Sequence, residues 1–347
     1  MRLLKLSVLY AGKYVGLFAL FRRLTRKLPR ILCYHGGSMA DEHLFHPKLF
    51  CHADLLEQRL RWLQRKGFVP GDLDTLLSGK ATAEDGGTPV VVTLDDGWVS
   101  SGNQLIPLLG RYRYPSVLYL TTKLATEGGP VTDVCVNYIV WKAQRDSVQL
   151  SGFGPELDGS YGGDSAERSR LRKAAERWLA QFEGQPQARV AALQRFASAL
   201  GVAPETLDLE SRRFSLMQRE ELLEMRKHNG HIELHGHAHL YVPGDQARNR
   251  NDIEVCRERI RDIGLPEPQH YCYPSGEFDP EAAATMRAAG VASATTCQPG
   301  LVRNVAGDSR YFLPRFLDGG DVSMIEFEAE MSGVLDFVRK LRGRATA

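Results

Sequence analysis

Short apolar runs alternate along the chain with segments of helical periodicity. Residues 89–94 are continuously apolar or β-branched, which is typical of a strand covered on both faces of a parallel sheet. Similar runs predict six further strands, at residues 31–34, 116–120, 232–234, 271–273, 291–295 and 311–313. Helical spacing of apolar residues predicts intervening helices, at residues 55–66, 105–109, 220–228, 253–263 and 280–289. This alternation indicates an α/β fold, and the number of parallel strands favours a closed or nearly closed barrel.

The alternation is interrupted over residues 133–215. Two apolar stripes, within residues 171–182 and 190–200, predict two amphipathic helices inserted between sheet elements. We therefore predict three parts of the chain: an N-terminal segment (1–30), a barrel (31–320) that carries 133–215 as a helical insertion, and a C-terminal helix and tail (321–347).

The composition is that of an ordinary globular protein, with 347 residues, 43% hydrophobic and 25% charged. These values exclude the disordered, collagenous and coiled-coil classes. The net charge of +2 is too balanced for general nucleic-acid binding, so no nucleic-acid partner is expected. The six cysteines are scattered without CxxC spacing, which favours a reducing compartment.

Positive charge is concentrated at the N-terminus, where residues 1–30 carry +8 and the rest of the chain −6. The apolar run 6–21 is shorter than the ~20 residues that span a bilayer. Arg22 and Arg23 follow it where a signal-peptide cleavage site would have small residues. Apolar residues of the segment share one helical face beside the cations. Residues 1–28 are expected to contact an anionic membrane surface, which makes the protein cytoplasmic and peripheral at the inner membrane face, or to pack on the domain.

Two adjacent carboxylates end the most apolar strand, in the sequence Thr93-Leu-Asp-Asp-Gly97. Adjacent strand residues point to opposite faces, but a turn at Gly97 can bring both side chains into one cleft. Asp96 can then bind a metal while Asp95 remains free to accept a proton. The alternative interpretation is a helix cap followed by a turn.

Three histidines occur within five residues, in the sequence His235-Gly-His-Ala-His239. On a helix His235 and His239 share a face, and on a strand all three histidines do. Neutral imidazoles at this spacing suit Zn²⁺ or a similar ion, and Asp96 would complete a set that leaves positions open for water and substrate. The reaction class is then hydrolysis, because such an ion polarises a carbonyl and acidifies water that Asp95 can deprotonate.

A turn follows the predicted strand 271–273 and is the candidate oxyanion site. Its residues are Tyr273, Pro274, Ser275 and Gly276. Backbone N–H groups of this loop can stabilise the oxyanion formed in hydrolysis, and Gly276 permits a close approach. The alternative is a plain turn.

Taken in chain order, Thr93–Gly97, His235-x-x-x-His239 and Tyr273–Gly276 resemble the first three motifs of the polysaccharide deacetylases, also called NodB-homology domains or family-4 carbohydrate esterases. Cys33-Tyr-His-Gly36 and Leu313-Pro-Arg315 are similar to a branch that begins with a Tyr-His strand end. The resemblance covers about residues 31–318. It implies a distorted (β/α) barrel with a divalent metal, Zn²⁺ being the expected ion, and removal of N- or O-acetyl groups from sugars. It also implies functional residues: Asp95 as catalytic base, and Asp96, His235 and His239 as metal ligands.

The sequence departs from the family pattern in two places. Cys272 and Ser275 stand where many members have an Arg that orients the base and a Tyr, and no histidine follows His270 to supply the usual catalytic acid. Arg315 is the candidate for the missing guanidinium. His35 is the candidate for substrate contact or for the acid.

These features predict a metal-dependent hydrolase of the polysaccharide deacetylase type. Its expected substrate is an acetylated sugar in a bacterial surface glycan or in a lipid- or nucleotide-linked precursor. Two alternatives stay open: a metal-free relative that hydrolyses small cyclic amides, and a non-catalytic glycan-binding module.

Overall fold

A computed structural model describes residues 2–78 and 86–343 of the chain. These residues form two compact units, of which one is Leu124–Gln218 and the other combines the segments before and after it. Residue 1 of the predicted N-terminal segment and residues 344–347 of the predicted tail lie outside the described residues.

The larger unit is built on one parallel sheet. In chain order its strands are β1 (Arg30–Tyr34), β2 (Phe68–Pro70), β3 (Thr88–Asp96), β4 (Ser116–Leu120), β5 (Gly230–Leu234), β6 (His270–Cys272), β7 (Ser293–Thr295) and β8 (Phe316–Leu317). Seven of them follow the order β7-β6-β5-β4-β3-β1-β8, and β2 pairs with the start of β3. A parallel bridge from Thr295 to Leu313 links β7 to the segment before β8 and nearly closes the barrel. The predicted α/β barrel class is confirmed.

Apolar side chains fill the interior of the barrel that the sheet forms. All nine residues of β3 are buried, as expected for a continuously apolar strand covered on both faces. The short helix Leu73–Leu77 adds Leu73 and Leu76 to this cluster. The other buried members of the cluster come from the strands and from the segment after β7: Ile31, Val91, Val117, Tyr119, Cys272, Val302 and Leu313.

Helices occupy the connections of the larger unit. They span Arg2–Tyr14, Leu17–Leu24, Glu42–Phe45, Ala53–Arg65, Leu73–Leu77, Ile106–Arg111, Arg219–Met225, Gln246–Ile263, Ala282–Ala288, Met324–Ser332 and Val334–Leu341. Several of these helices have clear end signals. The Asp245 carboxylate accepts the N–H of Arg248 at the start of Gln246–Ile263, and Gly264 ends that helix in a left-handed conformation.

The second unit, Leu124–Gln218, contains the helices Thr132–Ala143, Ser165–Ala180 and Pro186–Ala199. The last two are the helices that the apolar stripes predict. The sequence prediction missed Thr132–Ala143, because a helix that is apolar on most sides has no polar stripe to reveal its period. It also missed an antiparallel hairpin of two short strands, Ser147–Leu150 and Gly159–Gly162.

The last predicted strand, at residues 311–313, was misplaced. Tyr311 instead ends the short 3₁₀ turn Gly307–Tyr311, and Leu313 makes only the single bridge to Thr295. Pro314 follows and has no N–H with which to continue a ladder, and pairing with β1 begins only at Phe316–Leu317.

Candidate metal centre and active site

The functional side chains lie at the carboxyl ends of neighbouring strands. The register aligns Tyr34 of β1 with Leu94 of β3, and Asp96 of β3 with Leu120 of β4. Leu120 is in turn aligned with Leu234 of β5. The side chains that follow these strands, those of His35 and His235 among them, therefore emerge at one edge of the barrel, where α/β barrels carry their chemistry.

Left-handed backbone conformations at the end of β3 bring both carboxylates to this edge. Asp96 has a φ of 72° and Gly97 a φ of 102°, so the chain turns sharply directly after Asp95. A Cβ atom at residue 97 would lie 2.5 Å from Leu120 Cδ1, so only glycine fits without displacing that side chain. The predicted turn at Gly97 is present in the structure.

Asp96, His235 and His239 converge as a ligand set. The Nε2 atoms of His235 and of His239 each lie 3.4 Å from Asp96 Oδ1. The three ligand atoms lie within 4.8 Å of one another, which is close enough to bind a common metal ion. His235 and Asp96 are buried, whereas the His239 side chain is 42% exposed. The open side of the set therefore faces the mouth of the barrel.

Neighbouring groups orient this set for metal binding. The Trp98 indole N–H donates to Asp96 Oδ2 at 2.8 Å, which leaves Oδ1 for an ion. His235 Nδ1 lies 2.9 Å from the Cys272 carbonyl oxygen, so Nδ1 carries the proton and the Nε2 lone pair is free. When His235 also carries a proton on Nε2, it donates to Asp96. Burial alone would raise the pKa of Asp96, but this hydrogen bond and the histidine charges outweigh burial and hold that pKa well below its usual range. An ion that binds here would displace the Nε2 proton. The donor set fits a divalent ion such as Zn²⁺.

His237 does not join the other two histidines. Its N–H donates to Asp252 Oδ2 at 2.8 Å, and its ring Nδ1 lies 3.0 Å from Thr122 Oγ1. Gly236 and His239 have φ values of 78° and 54°, so the segment is neither the helix nor the strand considered from the sequence. Asp252, from the helix Gln246–Ile263, holds this loop through a second bond from the N–H of residue 238.

Asp95 has a different partner, Arg315. Two parallel bonds join them, from Nη1 to Oδ1 at 2.7 Å and from Nη2 to Oδ2 at 2.8 Å. Further bonds to Thr93 Oγ1 and to the Thr296 carbonyl fix the guanidinium, which is completely buried. Burial would raise the pKa of Asp95, but the Arg315 charge and hydrogen bonds outweigh it and hold that pKa well below its usual range. Asp95 is therefore ionised and fixed in orientation.

Two thiols complete the surroundings of Asp95. Cys33 Sγ lies 3.4 Å and Cys272 Sγ 3.5 Å from Asp95 Oδ2, and Cys272 Sγ also lies 2.9 Å from Arg315 Nη2. Burial raises the pKa of both thiols well above the ordinary value, against the opposing effect of Arg315, so they remain protonated donors. Sequence reasoning missed the contacts of Cys33 and Trp98. For Cys33 the sequence did contain a signal. Cys33 is on β1, two residues before His35, and side chains two residues apart along a strand face the same side of the sheet.

His35 lies at the edge of this site. Its Nε2 is 4.0 Å from Asp95 Oδ2, and its buried Nδ1 has no hydrogen-bond partner among the described residues. The Ser101 hydroxyl donates to the His35 carbonyl at 2.6 Å and fixes the backbone. The ring is thus close to Asp95 and is partly exposed to the mouth.

One backbone donor is available in the loop 273–276. The N–H groups of Tyr273 and Gly276 are already bonded, to the carbonyls of Thr295 and Tyr273. Pro274 has no N–H, which leaves that of Ser275, a residue with a φ of 55°. The Tyr273 side chain is buried, and its hydroxyl donates to the Tyr311 carbonyl at 3.0 Å.

A model of the polysaccharide deacetylase family matches residues 198–294, a range that includes His235, His239 and the loop 273–276. The resemblance to the polysaccharide deacetylase family is confirmed. The predicted enzyme class, an amide hydrolase of the polysaccharide deacetylase type, is confirmed with it. None of the curated proteins matches the sequence.

Several solved structures share the fold of this chain at low sequence identity. The Streptococcus pyogenes deacetylase PplD, in complex with acetate, has a TM-score of 0.54 and 14% identity, over 88% of this chain and 99% of its own. IcaB from Ammonifex degensii has a TM-score of 0.53 and 15% identity, over 88% and 97%. A de-N-acetylase from Aggregatibacter actinomycetemcomitans has a TM-score of 0.53 and 14% identity, over 87% and 98%.

Proposed function

We propose that this polysaccharide deacetylase relative is a metal-dependent enzyme that removes the N-acetyl, or O-acetyl, group of a sugar. The sugar belongs to a bacterial surface glycan or to its lipid- or nucleotide-linked precursor. The division of labour between two adjacent carboxylates carries the proposal: Asp96 lies with two imidazoles, whereas Asp95 is held by Arg315. The fold shared with PplD, which was solved in complex with acetate, supports it further.

The metal ligands would be Asp96, His235 and His239. A divalent ion bound there supplies a Lewis acid, which polarises the acyl carbonyl and acidifies water. The chain itself keeps the ligand atoms in place through Trp98 and the Cys272 carbonyl.

Asp95 acts as the general base. Arg315 fixes the plane of its carboxylate, and the base accepts a proton from the attacking water. The Ser275 N–H donates to the oxyanion that develops on the acyl group. His35 then donates a proton to the leaving nitrogen, or to the leaving oxygen in an ester. Acetate and the deacetylated sugar are the products.

The test is release of acetate from a panel of acetylated glycans and lipid-linked precursors, with metal content measured on the same samples. We expect Asp95→Asn to lower turnover about 10²- to 10⁴-fold, the range for loss of a general base, and to keep its metal. His239→Asn should lose both metal and activity.

The two alternatives predict other outcomes. A non-catalytic glycan-binding protein would bind members of the panel and release no acetate. A metal-free hydrolase of cyclic amides would keep its activity, on cyclic amides only, in the His239→Asn variant. Either result would refute the proposal.

A further inference from the structure

Two helices at the N-terminus, Arg2–Tyr14 and Leu17–Leu24, form what we call the N-terminal helix pair. One side of the pair packs on the last two helices of the chain, where Leu9 and Phe18 join a cluster with Ile325, Ala329 and Val334. Two ion pairs reinforce this contact, Lys5 with Glu326 and Lys13 with Glu328, both at 2.7 Å. The pair is therefore docked on the protein by one side only.

The opposite side of the pair is apolar and exposed. Ten of the thirteen exposed large hydrophobic side chains in the described residues lie on the pair, on the bend between its helices or on the helix Val334–Leu341. We call this set the apolar face; its members are Leu3, Leu4, Val8, Tyr10, Tyr14, Val15, Leu20, Leu24, Phe337 and Leu341. Single exposed apolar residues are ordinary, but such a concentration indicates an interaction surface.

The members of the apolar face are adjacent. Within the first helix, Leu4 and Val8 are spaced i and i+4 and so share one side, and Val15 lies in the bend that follows this helix. Phe337 contacts the second helix, with its ring centroid 5.0 Å from that of Phe21. The last helix of the chain therefore extends the face of the N-terminal pair.

Unpaired cations accompany the apolar face. The side chains of Arg23, Arg26 and Lys27 are exposed and make no ion pair or hydrogen bond within the described residues, and the same holds for the side chains of Lys340 and Arg342. No acidic residue occurs in residues 2–30. Apolar side chains combined with unopposed positive charge are complementary to an anionic lipid surface, which offers acyl chains below a layer of negative headgroups.

The geometry favours lying on the bilayer over crossing it. No single helix of the described residues is long and apolar enough to cross a membrane. The two helices of the pair reach that length and composition only together, and they are bent by 73°. Spanning would also require Leu9 and Phe18 to leave their cluster and would break the two ion pairs.

We propose that the apolar face and its cations bind the surface of an anionic bilayer. The pair then lies in the headgroup layer, with Leu4 and Val8 directed towards the acyl chains. This binding does not depend on catalysis.

One consequence rests on the proposed function. Arg2, at the start of the pair, donates to the Asp321 carbonyl at 3.2 Å. Residues 319–321 directly follow β8 at the carboxyl edge of the sheet, the edge that carries Asp95 and Asp96. The start of the pair thus lies at the edge of the sheet that carries the proposed active site, and binding of the pair to a bilayer would bring a lipid-linked acetylated sugar towards that edge.

Binding of the purified full chain to vesicles tests the proposal. One set of vesicles is phosphatidylcholine alone, and the other contains phosphatidylcholine and phosphatidylglycerol in equal amounts. We expect binding to the anionic vesicles that weakens at high salt and is released by alkaline carbonate. Arg26→Gln with Lys27→Gln should weaken it about 30-fold, because each cation near such a surface contributes about a factor of five.

A matched control and a second variant separate charge from apolar contact. Arg248→Gln with Arg250→Gln removes two exposed cations from the helix Gln246–Ile263 and should leave binding unchanged. Leu4→Gln with Val8→Gln should weaken binding at least about tenfold. Leu4 and Val8 are exposed and lie outside the active site. Acetate release from a soluble substrate by this variant should therefore stay at the wild-type level, which would show that the variant is correctly folded.

Four results would overturn the proposal. The first two are that the wild type binds neither kind of vesicle, and that the control loses as much binding as the Arg26 and Lys27 variant. The third is that the protein resists carbonate extraction, as a spanning segment does. The fourth is that, without lipid, the protein sediments as a dimer that Leu4→Gln with Val8→Gln dissociates. The last result would identify a second copy as the occupant of the face.

Discussion

Adjacent residues of identical type acquire different chemistry here through their partners. Asp95 and Asp96 both end β3, yet a guanidinium holds the first and two imidazoles surround the second. The difference coincides with a turn of the backbone, because Asp96 has a positive φ and Asp95 does not. An aspartate of fixed orientation suits a base, and an aspartate with one free oxygen suits a metal ligand.

Arg315→Lys tests whether the orientation of Asp95, the proposed base, matters beyond the charge beside it. Lysine keeps the positive charge beside Asp95 but cannot make two parallel bonds. We expect turnover to fall about 10²-fold, as for a misplaced catalytic group, with little change in KM and unchanged metal content. Rates of acetate release and metal analysis measure both quantities.

The matched control is Arg303→Lys. Arg303 is a partly exposed arginine paired with Asp336, away from the strand ends. The Arg303→Lys variant should keep wild-type turnover. Full turnover in Arg315→Lys would mean that its charge alone suffices.

At the scale of elements, the sequence predicted what periodicity encodes and missed what backbone conformation decides. The strands β1, β3 and β4 are close to their predicted positions, because each is a continuous apolar run. The last strand was misplaced because Pro314 lies between an apolar run and the true pairing segment. A helix without a polar stripe, Thr132–Ala143, gave no period to detect.

The candidate site shows the same division. Residue types and spacing were sufficient to select Asp96, His235 and His239, which do converge. They did not predict the contacts of His237, because these depend on left-handed conformations at Gly236 and His239 and on anchoring by Asp252. The contact of Trp98 with Asp96, two residues away, depends on a side-chain rotamer that no local pattern reports. The contact of Cys33 with Asp95 depends on the pairing of two strands that are distant in sequence.

Gly276→Ala tests the loop that presents the Ser275 N–H. Gly276 has a φ of 72°, and a Cβ atom there would lie 2.9 Å from Cys297 Cβ, so the loop must shift. We expect turnover to fall about 10²- to 10³-fold, the usual loss when an oxyanion donor is removed, while the metal remains bound. Steady-state kinetics and metal content are the measurements.

Gly290→Ala serves as the control for backbone strain. Gly290 has a φ of 67° but open space around its Cβ position, so alanine adds strain there without a clash. It should cost some stability and leave turnover intact. Equal losses of turnover in both variants would remove the loop from the catalytic argument.

At the scale of the whole molecule, the site and the apolar face both join distant parts of the chain. The proposed metal ligands come from the ends of β3 and β5, and the unit Leu124–Gln218 is inserted between them in sequence. The apolar face combines helices from both ends of the chain, held together by Lys5 with Glu326 and Lys13 with Glu328. Both features therefore exist only in the folded larger unit.

Because the ligands meet only in the folded chain, a bound ion must stabilise it. A ligand at about 100 times its dissociation constant adds about 2.7 kcal/mol to the free energy of unfolding. We expect added Zn²⁺ to raise the Tm of the wild type by several degrees and a chelator to reverse the shift, as measured by thermal unfolding. His239→Asn should lose this shift while its metal-free Tm stays near that of the wild type, because residue 239 is half-exposed and asparagine tolerates its positive φ.

His237→Asn provides the decisive comparison, since it removes a histidine two residues away whose ring contacts Thr122 and not Asp96. This variant should keep the full response to Zn²⁺, although its metal-free Tm falls slightly with the loss of the Thr122 contact. If His237→Asn lost the response and His239→Asn kept it, the ion would bind through a different pair of imidazoles. The division of roles between Asp95 and Asp96 would then lose its basis.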